Sequence, residues 1–254
     1  MTLPVTPRFR LDGRRALVTG AGRGLGLACA AALAEAGAAV TLVARTSSEI
    51  EDGAAQIRET GGIADAATLD ILDLEAVSRF FRDRAAFHIL VNNAGTNRPK
   101  PLAEVSEEDF DAVLQLNLKS LFFVTQNCVQ QMLRERVAGS IIHIGSQMGH
   151  VGGPRRTLYC ASKWAVEGLN KAMALDLAAH GIRSNTIAPT FIETSMTAAF
   201  LDDPDFRNSV LKNIKLGRLG QVEDIMGAVV FLAADASSLM TGASVVIDGG
   251  WTAE

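Results

Sequence analysis

The sequence predicts an α/β protein: a single doubly wound domain over residues 1–254, with a parallel sheet of about seven strands and helices on both faces. Three observations carry that expectation. Short apolar runs alternate with longer amphipathic stretches along the chain, so strands and helices take turns. No Pro- or Gly-rich linker, repeat or low-complexity tract divides it. With 254 residues, 48% of them hydrophobic, the chain can bury one large core.

The elements follow in order. RRALVT (14–19) reads as the first strand, and TGAGRGLG (19–26) as a glycine-rich turn leading into the helix LGLACAAALAEAG, which Gly37 closes as a C-terminal cap does. AAVTLVA (38–44), IADAATL (63–69) and FHILVN (87–92) read as the next three strands. The stretch from Ser106 to Leu133 reads as one long helix, opened by a capping box of Ser106 with Asp109. GSIIHIG (139–145), IRSNTIA (182–188) and ASVVID (243–248) complete the strands, with a helix containing TLYCASKWAVEGL (157–169) between the first two. Residues 194–217 form the longest insertion and are the expected substrate lid.

Composition narrows the function. A net charge of −4 with no basic stripe gives no footprint for nucleic acid. No run approaches the roughly 18 apolar residues of a membrane helix. Cys29, Cys128 and Cys160 form no CxxC pair and the N-terminus lacks an apolar signal core, so a reducing, cytoplasmic setting is expected. His143 and His150 belong to no HExxH or Cys/His set, so no metal is expected; Cys160, without an oriented histidine, reads as a packed helix residue.

The glycine turn would let a pyrophosphate approach backbone amides at a helix N-terminus. The generic GxGxxG spacing is not met, whereas Thr-Gly-x-x-x-Gly-x-Gly is, by Thr19, Gly20, Gly24 and Gly26. Further along come Asp70, NNAG at 92–95, Asn117, Ser146, Tyr159 with Lys163, and PTFIET from Pro189 to Thr194. In that order and spacing the chain resembles the short-chain dehydrogenase/reductase family over nearly its whole length. The resemblance implies a Rossmann-like domain and hydride transfer between a nicotinamide cofactor and a carbonyl or secondary alcohol. It implies that Ser146 positions the substrate oxygen, Tyr159 transfers the proton, Lys163 also holds the nicotinamide ribose, and Asn117 organises a water near the lysine. It assigns cofactor contacts to Gly20, Arg23, Gly24, Leu25 and Gly26, to Asp70 and Ile71, to Asn93, Ala94 and Gly95, and to Pro189, Ile192 and Thr194. Thr190 departs from the family's glycine and places a side chain where backbone normally meets the ligand. Paired subunits, usually a homotetramer, are implied as well. A catalytically silent dinucleotide-binding sensor is the alternative, though such a protein would typically lack part of the Ser146, Tyr159 and Lys163 set.

The residues add chemistry of their own. Tyr159 is the only tyrosine, and Lys163, four places on, shares its helix face. An ammonium within about 4 Å favours phenolate by about 4 kcal/mol at an effective dielectric of 20, before desolvation, so the phenol pKa is expected to fall by about one to three units. At the end of the second strand Ala44 stands where an NAD enzyme carries an acid, and Arg45 follows. Arg45 with Arg23 looks like a 2′-phosphate site, so NADP(H) is expected, with NAD(H) the alternative. Ser146, Gln147, Arg156 and Tyr159 are expected at the substrate. Arg155 or Arg156 either clamps an anionic substrate group or is a surface charge beside a Gly-Gly-Pro turn.

Overall fold

The computed structural model describes residues 3–253, apart from the side chains of Met196, Ala199 and Phe200. Seven strands, β1 (Arg15–Thr19), β2 (Ala39–Ala44), β3 (Ile63–Thr68), β4 (Ile89–Asn92), β5 (Gly139–Ile144), β6 (Ile182–Pro189) and β7 (Ser244–Ile247), form one sheet in the order β3-β2-β1-β4-β5-β6-β7. Every neighbouring pair is parallel. This is the doubly wound arrangement expected, and each expected strand is present with ends shifted by at most two residues. β4 is buried at every position, because helices cover both faces and leave no polar side of the kind an exposed sheet shows.

On one face α1 (Gly24–Glu35) packs beside α9 (Glu223–Ala233), burying Cys29, Leu33, Ile225, Val229 and Leu232 against Val40, Ile89 and Ile142 of the sheet. On the other, α3 (Leu74–Arg82) and α5 (Leu121–Glu135) bring Val77, Phe80, Phe81, Val124 and Met132 against Leu17, Leu90 and Ile141. Gly37, at φ 107°, ends α1 in a conformation that favours glycine. The order reverses between β1 and β4, whose connections leave on opposite faces; the resulting crevice at the strands' carboxyl ends is where such sheets hold ligands.

The long helix expected from Ser106 is broken. The capping box is present, Ser106 Oγ accepting from the Asp109 amide at 3.2 Å and Asp109 Oδ2 from the Ser106 amide at 3.1 Å. α4 (Glu107–Leu114) then gives way to a π-helical segment, Gln115–Ser120, before α5 begins. The wider turn is set by tertiary bonds at Asn117, which local sequence does not encode.

The insertion from 194 to 217 folds as α7 (Ser195–Leu201) and α8 (Pro204–Asn213), the latter capped by Asp203 with proline at its first position. It has its own small core, Val210, Ile214 and Leu219, joined by Phe191, Phe206 and Trp251. Among the described residues no helix is long and apolar enough to cross a membrane.

Candidate active site

The crevice is a cavity of about 600 Å³ along the carboxyl ends of β1, β2, β4, β5 and β6. At its floor lies the glycine turn. A Cβ on Gly26 would sit 2.2 Å from the Gly20 carbonyl oxygen and 2.4 Å from Asn93 Nδ2; one on Gly20, itself at φ 62°, would sit 2.9 Å from Ala94 Cα. Only glycine fits there. Asn93 Nδ2 donates to the carbonyls of Thr19 (3.1 Å) and Gly20 (3.0 Å), and Thr19 Oγ1 accepts from the amides of Asn93 and Ala94 at 3.1 and 3.2 Å. Asn93 is thus the staple joining β4 to the turn, a role the motif did not reveal.

α1 starts at this turn with no side chain capping it and no acid in its first turn, so its leading amides and the positive end of its dipole are suited to an anion. A dinucleotide fits this cradle. Leu25 and Gly24 line it from α1, Asp70, Ile71 and Leu72 flank one end, and Ala94, Gly95, Pro189, Ile192 and Thr194 line the other. Gly24 and Thr194 face each other, a Cβ on the glycine falling 3.4 Å from Thr194 Cγ2.

Arg23 and Arg45 both reach the lining, as the basic pair requires. Their states differ. Arg45 is exposed and its side chain bonds to no other described residue, while Arg23 donates to Glu49 Oε1 at 3.0 Å. Glu49, in the first turn of α2 (Ser47–Glu59), is a lining residue that sequence reasoning missed; no local pattern aims its carboxylate back at the glycine turn.

Ser146, Tyr159 and Lys163 meet at the opposite end of the cavity. Ser146 follows β5, 4% exposed; α6 (Thr157–Leu177) presents Tyr159 and, one turn on, Lys163, 7% exposed. Ser146 Oγ donates to Gln147 Oε1 at 2.7 Å and accepts from the Met148 amide at 3.1 Å. Gln147 Nε2 donates in turn to Thr190 Oγ1 at 3.4 Å, so the side chain that replaces the family's glycine lines the cavity and joins the chain leading to Ser146.

The lysine sits otherwise than expected. Its Nζ donates to the Ile144 carbonyl at 2.7 Å and lies 5.6 Å from the Tyr159 ring centroid. Burial pushes Lys163 down to about 8, with the Glu167 carboxylate opposing the shift. The expected lowering of the phenol is overturned: burial pushes the Tyr159 pKa up, against the Ser146 hydroxyl and the Arg156 charge, because desolvating a phenolate outweighs those partners.

Asn117 stands one layer behind the lining. Its Nδ2 donates to the Thr96 carbonyl (2.9 Å) and Ser162 Oγ (3.1 Å), its Oδ1 accepts from the Thr96 amide (2.8 Å), and Ser162 reaches the Tyr159 carbonyl at 2.8 Å. It therefore fixes the loop after β4 to α6. Of the two arginines expected near substrate, Arg156 lines the cavity, buried, with its guanidinium 5.9 Å from the Phe191 ring centroid and 5.8 Å from that of Phe206; Arg155 is exposed and outside the lining. Burial pushes Arg156 down, though an arginine stays charged. His143 is a core residue, between Asn92 Nδ2 (3.2 Å) and Ser184 Oγ (3.3 Å), and burial pushes it down to about 4.

Known proteins share this frame. A family model described as enoyl-(acyl carrier protein) reductase matches residues 20–252. Gluconate 5-dehydrogenase of Gluconobacter oxydans is 39% identical, covering 96% of each chain. L-xylulose reductase of Bos taurus is 36% identical over 96% of this chain and 99% of its own. The crystal structure of a gluconate 5-dehydrogenase from Burkholderia cenocepacia in complex with NADP and tartrate, 40% identical, superimposes with a TM-score of 0.93 over 98% of this chain and 99% of the other. The glycine cradle, the Ser146, Tyr159 and Lys163 cluster and this likeness over the full length agree, and the chain belongs to the short-chain dehydrogenase/reductase family of NAD(P)-dependent oxidoreductases.

Proposed function

We propose that the protein interconverts a secondary alcohol and its carbonyl on a small hydroxylated substrate of the sugar or sugar-acid type, with NADP(H) as the preferred cofactor. One observation carries the reading: Ser146, Tyr159 and Lys163 line the same cavity as the glycine cradle and the two arginines. The relatives named for gluconate and xylulose chemistry, and the NADP and tartrate in one of them, support the substrate and cofactor class.

Bound nicotinamide would supply or accept the hydride. Tyr159 exchanges a proton with the substrate oxygen, which its raised pKa suits in the reduction direction, where it acts as an acid. Ser146 Oγ, whose proton points at Gln147, must turn from that bond to donate to a developing alkoxide. Lys163 holds the ribose side of the site, and Arg156 binds a substrate carboxylate. α7 and α8 serve as the lid. The exposed Phe110, Phe122, Trp164 and Leu175 on α4, α5 and α6 support pairing into a homotetramer.

The test is turnover of a panel of sugar acids, polyols and matching ketones with both cofactors, beside Tyr159→Phe. The variant should bind cofactor normally and lose about a hundred- to ten-thousandfold in kcat, the usual worth of a positioned acid/base. Parental turnover in Tyr159→Phe, or cofactor binding with no turnover across the panel, would overturn the reading.

A further inference from the structure

The Ser146 hydroxyl has a single proton, and in this structure that proton is spent on Gln147. Gln147 lines the cavity yet is only 2% exposed, so its amide is held in protein rather than in water. Its backbone is fixed by a short helical turn, Gln147–Gly149, in which the Gly149 amide donates to the Ser146 carbonyl at 2.8 Å and the Val151 amide to the Gln147 carbonyl at 3.1 Å. The turn has no slack behind it, since a Cβ on Gly149 would lie 3.1 Å from the Lys163 carbonyl oxygen. The side chain is fixed by Thr190, directly after β6, whose Oγ1 accepts from Nε2 at 3.4 Å. That anchor leaves Oε1 facing Ser146, 2.7 Å from its Oγ. With the family's glycine at position 190 the amide would lack it.

When Ser146 turns to a substrate oxygen, Oε1 loses the donor it has among the described residues. A buried acceptor stripped of its donor weakens a complex by about ten- to a hundredfold. A substrate hydroxyl can take the place of Ser146 there. Oxygens on adjacent carbons lie about a hydrogen-bond length apart, as Ser146 Oγ and Gln147 Oε1 do, so such a pair can face both groups side by side. We propose that Gln147, anchored by Thr190, is a specificity-determining residue that selects ketones with a hydroxyl on the carbon next to the carbonyl and, in the oxidation direction, vicinal diols. The substrate hydroxyl donates to Oε1 while Ser146 donates to the reacting oxygen. A ketone without that hydroxyl leaves either Oε1 unpaired or Ser146 turned away from it. The inference rests on the dehydrogenase reading and names its substrate more narrowly.

The experiment compares hydroxyacetone with acetone and methoxyacetone, which flank it in size and lack the donor; the methoxy group also keeps an oxygen beside the carbonyl. Two readouts are taken: kcat/KM with NADPH, and the dissociation constant of each ketone from protein loaded with NADP+, which cannot reduce it. In the parent both should favour hydroxyacetone over either control by about ten- to a hundredfold. Gln147→Met, which keeps the length and removes the acceptor, should bring the ratios close to unity. Thr190→Val, the second variant if the first does not fold, should lower them several-fold, and Thr190→Ser should keep the preference. Equal treatment of the three ketones by the parent overturns the proposal, as does a preference that survives in Gln147→Met. Binding needs no turnover: selective binding without reduction would sink the dehydrogenase reading and leave this one standing, whereas equal or absent binding overturns this one.

Discussion

Replacing Arg45 with aspartate should reverse much of the proposed preference for the phosphorylated cofactor. Arg45 directly follows β2, exposed, with its guanidinium uncommitted among the described residues. A charge-assisted hydrogen bond contributes about 1.5–3 kcal/mol, so its loss should lower the ratio of NADPH to NADH efficiency by about ten- to a hundredfold. The new carboxylate adds repulsion toward phosphate and an acceptor for a free ribose hydroxyl, so the upper figure is the better guide. Glu49→Gln should act in the opposite sense. It removes a negative charge from the lining and releases Arg23, at a cost of about 1 kcal/mol at most because the 3.0 Å pair is exposed. The ratio should then rise a few-fold. Steady-state kcat/KM with each cofactor, at low and high salt, measures both effects, and both should shrink as salt screens the phosphate. An unchanged ratio in Arg45→Asp, or movement of the two variants in the same direction, would refute the basic-pair argument.

Two further outcomes concern the frame around the site. His143 is held near 4 in the fold against about 6.5 in an unfolded chain, so its stabilising share is complete above about pH 6.5 and fades as pH falls through 4; from about pH 7 to 5 the loss is about 2 kcal/mol. Urea unfolding at both pH values should show that slope in the parent and lose it in His143→Gln; equal slopes refute it. Gly26→Ala should weaken dinucleotide affinity by about tenfold or more while the chain still folds, because the new methyl meets the Gly20 carbonyl and the Asn93 staple. Fluorescence titration with NADPH reads this directly, and parental affinity would count against the cradle.

The strands were legible because each is a short apolar run bounded by turn residues, and Ser106 with Asp109 marked the start of α4 by purely local bonds. The motif order was enough to bring Ser146, Tyr159 and Lys163 to one cavity. What was hidden depends on partners remote in sequence. The π-helical turn at Asn117 answers to Thr96 and Ser162, and the direction of the Tyr159 shift follows from burial by elements that fold over it. Spacing brought Lys163 to the right face yet did not reveal that its ammonium is drawn to Ile144. Glu49 and Glu167 read in the chain as ordinary helix charges, since nothing nearby announces an arginine 26 residues back or a threonine 19 residues on. Thr190 was visible as a departure, but its link to Gln147 crosses 43 residues.

The reversal of strand order between β1 and β4 divides labour along the gene as well as in space. Residues up to Gly95 form the glycine turn and carry Arg23 and Arg45, whereas Ser146, Gln147, Arg156 and Thr190, proposed to meet the substrate, come from later in the chain, with Pro189, Ile192 and Thr194 returning to line the cradle. Residues 201–217, which stand outside the cavity lining, can therefore drift, lengthen or be exchanged with those of another dehydrogenase while the glycine cradle remains untouched. A lineage built this way can acquire new sugars without relearning how to hold its reductant.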